Sequence, residues 1–127
     1  MLDSLIAGFE ADLTLQNVMF ISLGLVIGII FGVLPGLGSV TAIALLVPIT
    51  FYMTPLAAIA FLVGVNTGGT SGGAVPAILL NAPGTPEAAA TARDGYPLAQ
   101  QGKPEKAMKM ALYSSVFGDT FSDIVLI

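Results

Sequence analysis

From Leu13 to Pro86 the chain carries no Asp, Glu, Lys or Arg, with Asp12 before the run and Glu87 after it. This run constrains the fold more than any motif. A soluble core needs a charged shell, and none is encoded here. Only 9% of the chain is charged and 55% is hydrophobic, whereas ordinary soluble domains carry roughly 25% charge. The mean hydropathy is +0.91. An uncharged run of this length holds about three spans of ~20 residues. The sequence therefore predicts an all-α integral membrane protein seated in a lipid bilayer.

Composition also removes chemistries. The chain has no cysteine and no histidine, which excludes disulfides, thiol chemistry, the common zinc sites and Ser-His or Cys-His catalysis. No enzymatic activity, metal or other cofactor is expected. A net charge of −4 gives no footprint for nucleic acid. An intramembrane aspartyl protease of Gly-x-Gly-Asp type would need glycine at position 116, where Val116 stands.

Along the chain, Leu2, Leu5, Ile6 and Phe9 fall at helical spacing and predict an interfacial helix over 1–14. The first span is expected over 16–34. Gly24, Gly28, Gly32 and Gly36 are four apart, and the first three make a seam for close helix approach. "GVLPGLGSVTA" then breaks the helix, with Ser39 as the N-cap of the next one. Segment 39–67 contains Pro48 and a restart at Thr54-Pro55. It reads as two short helices, 39–52 and 55–67, or one kinked span. Gly68, Gly69, Gly72 and Gly73 predict a flexible turn. Residues 73–92 predict a re-entrant hairpin around "NAPGTPE", with Thr85-Pro86 starting its second arm. All four bases, Arg93, Lys103, Lys106 and Lys109, follow that hairpin. The positive-inside rule assigns this loop, 93–105 and on to Lys109, to the cytoplasm, with Asp94-Gly95 as a turn. Residues 106–127 read as the start of a next span, still apolar at Ile127. The chain is thus expected to be the N-terminal part of a longer, multi-pass protein.

"GVLPGLG", "PAILLNAPGTPEAAAT" and "DGYPLA", in that order, resemble the large membrane subunit of the tripartite tricarboxylate transporters, the TctA-type permeases. The resemblance implies a bacterial inner-membrane permease working with a small membrane subunit and a periplasmic solute-binding protein. It implies uptake of carboxylates such as citrate, driven by an ion gradient. One departure concerns Ser71-Gly72-Gly73-Ala74, where a "YGGS"-like tetrad is expected. If that turn touches substrate, the substrate need not be citrate.

Independent of the resemblance, a carboxylate held at membrane depth needs donors, and the uncharged run offers no Arg or Lys. Helix N-termini supply them: each carries roughly half a positive charge, and broken helices in transporters use them for anions. Two such ends stand out, at Gly36, Gly38 and Ser39, and at Gly84 and Thr85. They are expected to converge on the substrate, with Asn66, Thr67 and Asn81 as further contacts. Asp119 and Asp123, one helical turn apart, are candidates for coupling to H⁺ or Na⁺ because ionisable groups inside a span are functional by default. Two other readings stay open: a channel with "NTGGTSGG" lining a re-entrant pore, and a non-transporting membrane scaffold built on the Gly24–Gly32 seam.

Overall fold

The computed structural model describes all 127 residues and contains six helices and no strand. They are α1 (Leu2–Asp12), α2 (Leu15–Val33), α3 (Gly38–Thr50), α4 (Pro55–Leu80), α5 (Ala88–Gln100) and α6 (Pro104–Leu126). The all-α expectation holds. α1 buries no residue. It meets α2 at a corner where the Ala11 carbonyl accepts from Thr14 Oγ1 at 2.8 Å and from Asn17 Nδ2 at 2.9 Å. Asn17 is buried for that reason.

α2 is long and apolar enough to cross a membrane; its 19 residues span about 28 Å. Its axis is fixed by α4. A Cβ added to Gly24 would fall on the Phe61 carbonyl oxygen, one on Gly28 on that of Val65, and one on Gly32 on that of Gly69. The reverse also holds: Gly64, Gly68 and Gly72 abut the carbonyls of Ile21, Leu25 and Ile29. Partner numbers rise together, so the two helices are parallel. The expected seam over Gly24, Gly28 and Gly32 is present, and it is reciprocal.

This reciprocity explains the largest departure from the sequence reading. The Gly68–Gly73 stretch is not a turn but the interior of α4, which runs unbroken from Pro55 to Leu80. Interior glycines cost a helix about 1 kcal/mol each relative to alanine, which favours a turn when the segment is judged alone. Here they let two backbones touch along several turns, and that contact outweighs the local penalty. Thr54 and Pro55 occupy the N-cap and first position of α4 as expected. Of the alternatives for 39–67, two helices is the observed one, with the second ending at Leu80 rather than near residue 67. Pro48 lies inside α3 without dividing it.

α3 returns antiparallel: Ser39 lies at Gly69, while Ala42 packs with Phe61 and Val65 in the buried apolar cluster. α5 also differs from expectation. No helical hairpin forms at "NAPGTPE". α4 ends on Asn81, whose φ of 55° is left-handed, and the extended segment after it drops back until Gly84 reaches the level of Gly73. The Gly84 N–H donates to the Gly73 carbonyl at 3.4 Å. α5 then crosses the end of α4 in the same sense, with Ala88 and Ala92 against Ala77 and Gly95 against Ile78. The expected Asp94-Gly95 turn and the loop from residue 93 are therefore helical through Gln100. Gly95 serves as a packing position, since a Cβ there would lie 2.7 Å from Ile78 Cγ1. The real turn is at Gly102, with φ +82°, after which Pro104 opens α6.

Candidate functional site

The two Pro-Gly tips meet. A Cβ on Gly38 would lie 2.9 Å from the Gly84 carbonyl oxygen and 3.8 Å from Thr85 Cγ2. Gly84 itself stands on the Gly32 carbonyl, with its Cβ position 3.1 Å from Gly73 Cα. A Cβ on Gly73 would lie 2.9 Å from Thr85 Oγ1, and one on Gly69 would lie 2.6 Å from Ser39 Cβ. Five glycines from three elements and a loop thus form one node, with Ser39 and Thr85 buried in it. The sequence flagged both tips. It missed Gly32, Gly69 and Gly73 as members of the node, although their spacing of four was the available signal.

Capping differs from expectation at both tips. Leu37, not Ser39, is the N-cap of α3, and Glu87, not Thr85, is that of α5; neither end has a side-chain cap bond. The N-terminal N–H groups of a helix have no intrahelical acceptor. In α3 these belong to Gly38, Ser39 and Val40. Gly38 enters the helix with φ +57°. The Gly84 N–H is already engaged by Gly73, so α3 supplies the freer set of donors. Thr85 Oγ1 is buried and has no hydrogen-bond partner. Such an atom calls for a physical explanation.

The remaining sequence candidates lie elsewhere. Gly36, with φ +87°, faces open space; it makes the turn and is not in the node. Asn66 and Thr67 are on the exposed face of α4. Asn81 is exposed and ends α4. Asp119 and Asp123 are exposed near the end of α6 and do not line the cavity described next.

A cavity of about 760 Å³ opens between α4, α5 and α6. Thr70, Ser71, Thr91, Ser114 and Ser115 give it hydroxyls, and Glu87 and Asp94 give it two carboxylates with no base opposite. That charge balance opposes an anionic ligand. Ser71 of the departing tetrad lines this cavity, while Gly73 of the same tetrad belongs to the node.

A helical membrane protein with two broken-helix tips packed on a glycine seam is the class these features define. The sequence model of the tripartite tricarboxylate transporter TctA family matches residues 18–127, and the chain belongs to that family. It is 37% identical over 126 residues to a protein of Agrobacterium vitis named "Uncharacterized 52.8 kDa protein in TAR-I ttuC' 3'region". The match covers 99% of this chain and 25% of that protein, so the chain spans about a quarter of its relative's length. No solved structure matches. Membership and the apolar α2 make this chain part of a membrane protein of a transporter family.

Proposed function

We propose that the chain forms part of a permease subunit of a secondary transporter that imports carboxylates, tricarboxylates or related organic acids, across the bacterial inner membrane. A periplasmic solute-binding protein delivers the substrate, a small membrane subunit completes the permease, and an ion gradient drives uptake. The observation that carries this reading is the meeting of the α3 N-terminus with the Gly84-Thr85 tip, in a region without a single cation. Backbone N–H groups of Gly38, Ser39 and Val40, with the Ser39 hydroxyl, are the donors that hold a carboxylate.

The experiment is uptake of labelled carboxylates by cells expressing the complete system. Saturable uptake that needs both the solute-binding protein and an ion gradient is expected. Non-saturable flux down the substrate gradient, indifferent to the binding protein, would favour the channel reading instead.

Orientation follows from Arg93, Lys103, Lys106 and Lys109, placed on the cytoplasmic side by the positive-inside rule. Gln101 lies on an exposed turn of a segment with no native cysteine, so Gln101→Cys, in a transporter otherwise free of cysteine, gives the probe. In intact cells it should resist a membrane-impermeant thiol reagent and react after permeabilisation. Ready labelling from outside would reverse the assignment.

A further inference from the structure

We infer that α1 lies in the headgroup layer of the bilayer and that Phe51 and Tyr52 share its level, so that the two elements form one lipid-binding belt. What covers the apolar stripe of α1 is phospholipid, not a protein subunit. Leu2, Leu5, Ile6, Phe9 and Leu13 are all exposed and fall on one side of the helix, with Ser4 and Ala7 on the far side. Asp3 and Glu10 border the stripe. No residue of α1 is buried, so no other helix of the chain covers it. Asp3, Glu10 and Asp12 are its only charged side chains. Apolar burial therefore holds α1 to the membrane, not attraction to anionic lipid.

The corner between α1 and α2 fixes the level. Thr14 is extended, with φ −60° and ψ 135°, so α1 leaves the axis of α2 there. The Ala11 carbonyl accepts from Thr14 Oγ1 at 2.8 Å, from Asn17 Nδ2 at 2.9 Å and from the Thr14 N–H at 3.4 Å. α2 is about one hydrocarbon thickness long, so its first residue, Leu15, sits at a bilayer surface, and the corner holds α1 beside it. The other observation comes from a different element. The seam sets Gly24 at Phe61 and Gly64 at Ile21. Carried back toward the helix starts, this register brings the turn between α3 and α4 level with the corner. That turn exposes Phe51 and Tyr52, the latter at 94%. A ring with a polar tip is the side chain that suits a membrane–water boundary, with one end apolar and the other wet. Lipid headgroups at one level account for both elements together. The inference rests on the membrane reading of the chain and holds for either orientation across the bilayer.

The test uses the complete transporter, otherwise free of cysteine, in nanodiscs of phosphatidylcholine without anionic lipid. A nitroxide is attached in turn to Leu2→Cys, Ser4→Cys, Ile6→Cys, Ala7→Cys, Phe9→Cys and Tyr52→Cys. Its collisions with oxygen, which concentrates in lipid, are compared with those of a water-soluble nickel chelate. The oxygen-to-nickel ratio should be several-fold higher at residues 2, 6 and 9 than at 4 and 7, and should not change at high salt. The label at residue 52 should report the same depth as the label at residue 9. Free access of nickel all round α1 would leave the helix in water and overturn the inference. A stripe shielded from both reagents would mean a protein partner and would overturn it equally. So would a residue 52 label at a depth unlike that of residue 9. None of these readouts depends on uptake, so the belt and the carboxylate-import reading fail separately.

Discussion

Gly28→Leu should prevent α2 and α4 from packing and should leave the transporter without a stable membrane subunit. The Cβ alone would fall on the Val65 carbonyl oxygen and within 2.8 Å of the Gly69 nitrogen. Both atoms are backbone inside a helix, so neither can swing away as a side-chain tip would. The helices must separate, and separation undoes the reciprocal contacts of Gly24, Gly32, Gly64, Gly68 and Gly72 together. Overpacking at one site typically costs about 1–3 kcal/mol. Here the loss extends along the whole seam, in a bilayer where close packing rather than water exclusion holds helices together. Gly28→Ala should show a smaller loss of the same kind. Gly8→Ala in α1, where nothing lies within 4 Å, should be neutral or slightly stabilising because alanine is the better helix former. The check is the thermal midpoint and membrane abundance of each variant. A Gly28→Leu protein as abundant and as stable as wild type would remove the seam from the account.

The seam also shows what was legible from the residues. Gly24, Gly28 and Gly32 could be read as a packing face because they interrupt an otherwise greasy helix at a regular spacing. The same spacing in Gly64, Gly68 and Gly72 was hidden among Asn66, Thr67, Thr70 and Ser71, polar residues that favour turns when judged alone. Only a partner helix makes interior glycine favourable, and the partner is a tertiary fact. The two tips were legible because Pro-Gly pairs mark breaks whatever surrounds them. Their capping was not: Ser39 and Thr85 have cap chemistry, yet the helices begin elsewhere and both residues are buried between backbones. Gly95 was read as a turn for lack of any sign that Ile78 would press against it.

Gly84→Val should reduce carboxylate uptake by about tenfold or more at equal membrane abundance. The reason is space, not backbone conformation, since the left-handed glycines are Gly36, Gly38 and Gly102. A Cβ at residue 84 would strike the Gly32 carbonyl and crowd Gly73 Cα at 3.1 Å. The loop must then lift off α2 and α4, carrying Thr85 and the Gly84 carbonyl away from Gly38. The anion donors at the start of α3 would lose their arrangement. Ile29→Val removes one methylene from a side chain that is 38% exposed and should leave uptake near wild type. Equal uptake by the Gly84→Val and Ile29→Val proteins would mean that the tips serve no transport role.

The measurement that bears most directly on carboxylate binding by backbone donors is a structure of the complete transporter with substrate bound. The carboxylate oxygens should lie roughly 2.7–3.2 Å from the backbone nitrogens of Gly38, Ser39 or Val40. A substrate held only by Arg or Lys from other parts of the protein, with the start of α3 out of hydrogen-bond reach, would contradict the account.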